Sequence, residues 1–324
     1  MAKERGKWNN TFQLVSLSRR LPKNHSSYER VHLDLRRMRR GMRGEKEVLF
    51  PLRFIKKDSH QLLHNLRIPD QNGAFEIDTL LLTPHYILIL EIKNWYGTII
   101  FGENGQVIRV GDDGMEEGFP NPLHQVKLQR HRLRQWLHSR SIPEIPIMYF
   151  VVISYPSTII KSISPDHPIP EKVIHNNELF FKIQTLDRQF TKLKMDRVQL
   201  EHCTHVLNQA QTSFKRDIWA TYNINKNALV TGVFCPFCSN GGMVRHLQKW
   251  YCNACGTFSY NAHIAALNDY KVLISDFISN REARRFLHIQ SPYVAKHILQ
   301  TGGYEKQGKT NHTRYRLEIR DEIS

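Results

Sequence analysis

The sequence contains no apolar run long enough to cross a membrane, since none approaches the length of about eighteen residues that a spanning helix needs. Its first thirty residues also lack the apolar core of a signal peptide. Cysteine is scarce: there are five, and four of them stand in two tight pairs. This pattern disfavours a disulfide framework and favours a metal site in a reducing compartment. We therefore expect a soluble, cytoplasmic protein.

Acidic residues are in short supply as well, with 30 Asp and Glu against 46 Lys and Arg. The net charge is +16 and the pI is about 9.7. A chain this basic is expected to bind polyanions, so the predicted partner is nucleic acid, DNA in the first place, and not a membrane. Its 324 residues suffice for two or three domains.

Two apolar segments, 75–82 and 86–93, flank a Thr-Pro-His turn and predict a β-hairpin with at least one strand buried on both faces. A charge in such a setting is costly unless it is paired or holds a metal. Glu91 and Lys93 are two residues apart and should point to one side, and a suitable register would set Asp78 beside Glu91. Such a set suits a hard divalent cation with a lysine beside the attacking water. The alternative is a solvated strand edge.

Five motifs, in order, resemble those of the nuclease-related domain called NERD, in the PD-(D/E)xK nuclease superfamily. They lie at residues 41–48, 64–66, 77–82, 91–97 and 121–125. Five motifs in the right order are more specific than any one of them. The resemblance implies an α/β fold of the restriction-endonuclease type, with a mixed sheet flanked by helices.

The resemblance also implies roles for particular residues. Asp78, Glu91 and the carbonyl of Ile92 would bind Mg²⁺ or Mn²⁺, and Lys93 would be the catalytic lysine. Two further catalytic candidates are Glu45, at the start of a short helix, and Gln125, in the first turn of a helix that begins at Asn121-Pro122. Each has a plainer alternative: Glu45 as ordinary complement to a helix dipole, and Gln125 as an exposed amide.

Positive charge is concentrated in residues 1–44, which hold twelve Lys or Arg against three acids, a net charge of +9. Apolar residues recur at helical spacing from Tyr28 onward and predict an amphipathic helix. Its outer face carries Arg36, Arg37, Arg39 and Arg40, and the later helix adds Lys127 and Arg130. We interpret these residues as phosphate contacts, and the alternative is a solvated face.

The paired cysteines are Cys235 with Cys238 and Cys252 with Cys255, separated by thirteen residues. Two Cys-x-x-Cys knuckles supply the four thiolates that Zn²⁺ favours, so the segment resembles a zinc ribbon with a closed, structural site. Because so small a module buries little core, metal binding would supply its folding energy. The alternative is a pair of redox dithiols.

The segment 280–324 contains two short helices joined by a tight turn, followed by a basic β-like stretch. It resembles a helix-turn-helix with a wing, which would use Arg284, Arg285 and Lys296 on nucleic acid. The alternative is a small helical cap without a role in DNA binding.

These patterns predict a basic N-terminal extension over 1–40, a NERD nuclease-like domain over 41–212 with its core motifs in 41–155, and a linker over 213–227. A zinc ribbon over 228–261 and a winged-helix-like module over 270–324 would follow. The predicted function is a metal-dependent nuclease acting on DNA. The alternatives are a non-catalytic nucleic-acid-binding or regulatory protein on a nuclease fold, and a protein-interaction adaptor.

Overall fold

The computed structural model describes residues 5–56, 59–102, 105–164, 168–212, 217–309 and 313–320, with the backbone alone over 5–10. Parts of four predicted segments lie outside the described residues: 1–4 of the N-terminal extension, 57–58, 103–104 and 165–167 of the nuclease-like domain, 213–216 of the linker, and 310–312 and 321–324 of the C-terminal module. Within the described ranges, no helix has both the length and the apolar composition that a membrane span requires.

The described residues form nine α-helices and fifteen β-strands. The helices are α1 (Arg5–Arg20), α2 (Tyr28–Leu52), α3 (Pro122–His138), α4 (Leu179–Gln189), α5 (Arg197–Ala210), α6 (Ile218–Tyr222), α7 (Ala262–Leu273), α8 (Asn280–Leu287) and α9 (Pro292–Thr301). The strands are β1 (Gln61–Asp70), β2 (Gly73–Leu82), β3 (Ile87–Lys93), β4 (Thr98–Phe101), β5 (Gln106–Val110), β6 (Glu116–Pro120), β7 (Ile147–Ile153), β8 (Ile159–Ser162), β9 (Val173–His175), β10 (Val244–His246), β11 (Lys249–Tyr251), β12 (Phe258–Ser259), β13 (Phe277–Ser279), β14 (Glu305–Gln307) and β15 (Arg314–Arg316).

The chain divides into two compact units. The first takes its residues from Met1–Lys7 and Arg37–Phe214, and the second takes them from Trp8–Arg36 and Lys215–Ser324. The boundary between Arg36 and Arg37 falls inside α2. Most of the predicted N-terminal extension is therefore grouped with the C-terminal part of the chain.

The first unit is built on a five-stranded mixed sheet with the order β1-β2-β3-β7-β9. The strands β1, β2 and β3 pair antiparallel, whereas β3, β7 and β9 pair parallel. A second sheet has four strands in the order β6-β5-β4-β8, and its first strand in the chain, β4, comes directly after β3. The structure thus has the mixed α/β class, with mixed sheets and flanking helices, that the sequence predicts.

Strand β3 lies at the centre of the first sheet and is buried along all its residues except Lys93. Its alternate side chains enter two separate cores, as the pleat of a strand requires. Ile87 and Ile89 pack in the core that includes residues of α3 and α5, and Leu88 and Leu90 pack in the core that includes residues of α2 and α4. This two-sided burial explains the almost uninterrupted apolar run.

The sequence predicts that a short helix begins at Glu45. In the structure Glu45 instead lies inside α2, which runs without interruption for 25 residues. Glycine is unfavourable in the interior of a helix, but at position 44 it is required because the helix backbone lies very close to Asn94 and Ser154. A Cβ at Gly44 would stand 2.6 Å from Asn94 Cβ and 2.7 Å from Ser154 Oγ. Only glycine lets the helix lie this near the ends of β3 and β7.

The cysteine segment and the C-terminal helices of the second unit share one hydrophobic core. Trp250 and Cys252 belong to the same buried cluster as Phe286 and Leu299. The sequence treated 228–261 and 270–324 as separate modules. They are packed together because the three-stranded sheet β10-β11-β12 is too small to bury its own apolar side chains, of which Trp250 is the largest.

The described part of the predicted linker, 217–227, contains secondary structure. It contains α6, whose Tyr222 is buried and donates its hydroxyl to Asp34 Oδ2 at 2.7 Å. Ser27 Oγ donates to the carbonyl of Tyr222 at 2.6 Å. The polar, Asn-rich composition concealed this aromatic anchor, which ties the segment to the start of α2.

Arg20, at the end of α1, is wholly buried in the second unit. Its Nε donates to Asp269 Oδ2 at 2.7 Å, and its Nη1 donates to the carbonyls of Val230 and Gly232. The guanidinium also lies over the rings of Phe234 and Phe286, 4.8 and 4.7 Å from their centroids. A residue that the sequence placed in a solvated basic extension is therefore an interior anchor.

Candidate active site and metal centre

The hairpin of β2 and β3 brings the two candidate carboxylates together. The two strands are antiparallel and Thr79 pairs with Leu90. Asp78, one residue before Thr79, and Glu91, one residue after Leu90, therefore lie next to each other on neighbouring strands. Asp78 Oδ2 accepts a hydrogen bond from the backbone N–H of Ile92 at 2.9 Å. This bond fixes the orientation of the Asp78 carboxylate and leaves its second oxygen to other partners.

Glu91 is the most deeply buried member of the group, with 2% of its surface exposed. Its Oε1 accepts from Lys93 Nζ at 2.7 Å, and its Oε2 accepts from Gln129 Nε2 at 2.8 Å. Burial and then the charge of Asp78 raise the pKa of Glu91, while Lys93 and Gln129 act in the opposite direction. The carboxylate is thus buried but well supplied with donors.

Lys93 connects the strand with helix α3. Besides Glu91, its ammonium donates to Gln125 Oε1 at 3.1 Å, and 23% of the lysine side chain is exposed. Helix α3 starts where the sequence predicts, because Asn121 Oδ1 accepts from the backbone N–H of Leu123 at 2.9 Å and Pro122 is the first helical residue. This start sets Gln125 in the first turn, at the edge of the group.

Gln129 was not identified from the sequence, although it touches Glu91 directly. It lies four residues after Gln125 and hence on the same face of α3. Its side chain is buried, and its Oε1 has no hydrogen-bond partner among the described residues. The sequence feature that could have identified Gln129 is its spacing: it lies four residues after Gln125 and among the positions of α3, such as Val126 and Leu133, that form the buried face.

Glu45 lies in α2 directly after Gly44 and is half-buried. The close approach of Gly44 to Asn94 sets this turn of the helix near the residue that follows Lys93. Asn94 Nδ2 also donates to the backbone carbonyl of Arg40 at 2.7 Å, which holds the helix and the end of β3 together. The role of Glu45 stays a prediction.

The donor set of this group fits a hard divalent cation. Its ligand atoms are carboxylate oxygens, which Mg²⁺ and Mn²⁺ prefer. Each oxygen of Glu91 already has one donor, but a carboxylate oxygen has two lone pairs, so a metal can be added without breaking the bonds to Lys93 and Gln129. The unpaired Oε1 of Gln129 is a further buried acceptor beside Glu91.

The basic residues predicted to bind nucleic acid have different surroundings. Arg36, Arg37, Arg39, Arg40, Lys127, Arg285 and Lys296 are exposed. Arg130 is half-buried, with its guanidinium 5.1 Å from the ring centroid of Tyr149, and the half-buried Arg284 donates to the carbonyl of Gln290 at 3.2 Å. The two half-buried arginines are thus partly engaged within the protein, and the exposed Arg40 also has its guanidinium 5.5 Å from the ring centroid of Tyr96.

The four paired cysteines form a compact cluster in the second unit. All four sulfur atoms lie within 4.8 Å of one another. Cys235 Sγ is 3.7 Å from Cys255 Sγ, and Cys238 Sγ is 3.6 Å from Cys252 Sγ. Thiolates bound at 2.3 Å to a tetrahedral metal stand about 3.8 Å apart, so the cluster has the dimensions of a four-thiolate metal site.

Comparison with known proteins finds a match to the region that contains the first of these two sites. Residues 40–154 match the family model of the nuclease-related domain, NERD. The chain is also similar to an uncharacterized protein of Bacillus anthracis, with 24% identity over 172 residues, which cover 53% of this chain and 76% of that protein. No solved structure matches the chain. The region with the Asp78, Glu91 and Lys93 group is therefore similar to a nuclease-related domain.

Proposed function

We propose that this protein is a metal-dependent nuclease that hydrolyses phosphodiester bonds of DNA. The observation that carries the proposal is the convergence of Asp78, Glu91 and Lys93 at the end of one buried strand, within the region that matches the nuclease-related domain. Under this proposal the first unit is a restriction-endonuclease-like domain of the PD-(D/E)xK superfamily. The basic composition of the chain is consistent with a polyanionic substrate.

In this mechanism Asp78 and Glu91, with the carbonyl of Ile92, would hold Mg²⁺ or Mn²⁺. When bound, the ion would supply Lewis-acid stabilisation of the charge that develops on the phosphoryl oxygens. Lys93, held as an ammonium by its bonds to Glu91 and Gln125, would donate to the attacking water and favour the loss of its proton to solvent by stabilising the hydroxide that forms. Gln129 holds the second oxygen of Glu91, and Glu45 and Gln125 are supporting residues at the edge of the site.

The second unit supplies nucleic-acid binding in this proposal. Its strand β13, helices α8 and α9, and the antiparallel strands β14 and β15 follow one another in the order of a winged-helix module. Lys296 is exposed on α9, and Lys306, Arg314 and Arg316 are exposed on the paired strands. These charges would make the phosphate contacts, with Arg316 also 3.8 Å from Glu305 Oε2 in an exposed ion pair. The adjoining cysteine cluster acts as a structural zinc ribbon.

A non-catalytic nucleic-acid clamp is the second candidate function. The observation that favours it is the closed hydrogen-bond network around Glu91, in which both carboxylate oxygens already have donors from the protein. In a clamp, this network would only stabilise the end of β3.

The test is incubation of the purified full chain with plasmid and with linear single-stranded DNA, without added metal and with Mg²⁺ or Mn²⁺. The nuclease proposal expects products only when the metal is added. Omission of the ion is preferable to a chelator, because a chelator would also attack the cysteine cluster. Binding of both DNAs without product under any of these conditions would favour the clamp.

We also expect one Zn²⁺ per chain in protein purified without added metal, as measured by elemental analysis. Cys238 and Cys255 are the exposed members of the cluster, so replacing both by Ser removes two ligands with little loss of packing. This variant should lose the metal, whereas Cys203→Ala should keep it. Cys203 is a suitable control because it is buried in the core of the first unit, where burial raises the pKa of its thiol to about 12. Metal-free wild-type protein with an ordered second unit would contradict the expectation.

A further inference from the structure

An aromatic groove lies in the first unit, outside the group formed by Asp78, Glu91 and Lys93. It has a volume of about 350 Å³. Its lining is Phe50, Pro51, Phe54, Pro156, His175, Asn176, Asn177 and Phe180. This volume is at the small end of the range for ligand sites, about 300–1,000 Å³. The groove is therefore sized for a single small aromatic group and not for a folded partner.

The rings of the groove are exposed to an extent that the fold does not explain. Phe50 and Phe54 each have 61% of their surface exposed. Phe50 is in the last turn of α2, and Phe54 follows two residues after the helix ends. Their rings make an edge-on pair with centroids 5.4 Å apart, and Phe54 is 6.2 Å from Phe180 in a second edge-on pair. These aromatic faces are available for stacking with a planar ligand.

The lining of the groove also includes polar side chains. Asn177 is exposed, and Asn176 donates its Nδ2 to the backbone carbonyl of Glu47 at 3.1 Å. The Oδ1 of Asn176 is buried and has no hydrogen-bond partner among the described residues. An unpaired buried acceptor is costly until it meets a donor. The groove therefore combines aromatic faces with one exposed amide, that of Asn177.

The groove lies at the same edge of the sheet as the candidate catalytic group. Strand β7 ends at Ile153, which pairs with Lys93, and Pro156 of the groove follows three residues later. On α2, Phe50 comes six residues after Gly44, a rise of about 9 Å along the helix axis. The two sites thus share the carboxyl end of the sheet, with the candidate group on the face covered by α3 and the groove on the face covered by α2 and α4, so a strand of nucleic acid that reaches both has to pass around this end.

The charge next to the groove matches a nucleic-acid strand. Arg53 is exposed between the lining residues Pro51 and Phe54, and Arg39, Arg40 and Arg43 are exposed further up α2. Nucleic-acid sites for single strands combine such a basic track with aromatic side chains on which bases stack.

From these observations we infer that the groove holds one unstacked base of a single-stranded segment of the substrate. The inference rests on the proposed function, because it takes nucleic acid as the ligand. The base stacks on the face of one of the two rings, Phe50 or Phe54, whose planes are 80° apart, and its edge meets the exposed amide of Asn177. A base inside a duplex is already stacked on its neighbours, so the groove distinguishes single strands and frayed ends from intact duplex.

The test measures binding of a labelled single-stranded oligonucleotide and of a duplex of the same sequence, at several salt concentrations and without added divalent metal. The variant is Phe50→Ala with Phe54→Ala. The control is Leu193→Ala, which removes an apolar side chain of equal exposure, 61%, elsewhere in the first unit. Loss of stacking should weaken single-strand binding about tenfold or more. Duplex affinity and the salt slope should be unchanged, because no phosphate contact is removed.

A second variant, Phe50→Trp, keeps an aromatic face and should retain single-strand affinity, which separates stacking from any effect on folding. Equal affinity of the double alanine variant and of wild type for the single strand would overturn the inference while leaving the nuclease proposal intact. If the double alanine variant differs from wild type in its sedimentation but not in its affinity for DNA, the groove is a contact between two copies of the chain. This result would also overturn the inference. Wild-type protein that binds neither DNA would refute the proposed function together with the inference.

Discussion

Replacing Glu91 by Gln is expected to abolish metal-dependent cleavage while leaving the fold intact. The amide keeps the shape of the carboxylate and can still pair with Lys93 and Gln129, but it removes the negative charge that a metal requires. Asp78→Asn should have the same effect for the same reason. Lys93→Ala should lower the cleavage rate by about 10²–10⁴, the usual contribution of a group that assists proton transfer.

The measurement is the initial rate on plasmid DNA with Mg²⁺ or Mn²⁺, together with the melting temperature of each variant. Glu76→Gln is a matched control, since this carboxylate is on the same strand as Asp78 but is exposed and 3.4 Å from Arg67. It should cleave like wild type. If Glu91→Gln or Asp78→Asn cleaves within a few-fold of wild type at normal stability, that residue is not a metal ligand.

Loss of the buried ion pair between Arg20 and Asp269 should produce the largest change in stability. In Arg20→Met, Asp269 would stay almost fully buried, at 2% exposure, without its main partner. Removing one member of a buried pair costs about 3–5 kcal/mol. We expect the free energy of unfolding of the second unit to fall by that amount in urea denaturation, and hydrogen exchange in α7 to accelerate.

Neighbouring Arg19 provides the control for this experiment. Its Nη1 is 3.6 Å from Asp269 Oδ2, but 30% of its side chain is exposed, so Arg19→Ala should cost no more than about 1 kcal/mol. The double variant Arg20→Met with Asp269→Leu should recover much of the loss, because it removes both charges from the interior. Equal stability of Arg20→Met and wild type would show that the pair contributes nothing net.

The central hairpin could be predicted from the sequence because its information is local. The apolar run of β3, the Thr-Pro-His turn and the two-residue spacing of Glu91 and Lys93 together fix the strand, its burial and the common direction of the two side chains. The cluster of four cysteines could be predicted equally well from the sequence, since a Cys-x-x-Cys pair defines its knuckle within four residues. The start of α3 followed from Asn121-Pro122 for the same reason.

Gln129 and Arg20 could not be predicted because their roles depend on residues far away in the chain. Gln129 is a polar residue in a polar helix until Glu91, 38 residues earlier, is placed against it. Arg20 stands in a strongly basic stretch, where solvation is the default expectation, and only Asp269 and two aromatic rings make its burial tolerable. The continuity of α2 through Gly44 has a similar origin, since the reason for the glycine is Asn94.

The Arg20–Asp269 pair also has a consequence for the order of events during synthesis. Its partners are 249 residues apart, so at about 5–20 residues per second the ribosome needs about 12–50 s after making Arg20 before Asp269 exists. Throughout that time α1, whose Leu14 and Leu17 are buried in the finished fold, lacks its anchor at Asp269, whereas the five-stranded sheet of the first unit has all its strands once His175 is made, well before Asp269. The nascent N-terminal helix is therefore expected to be a binding site for chaperones until translation is almost complete.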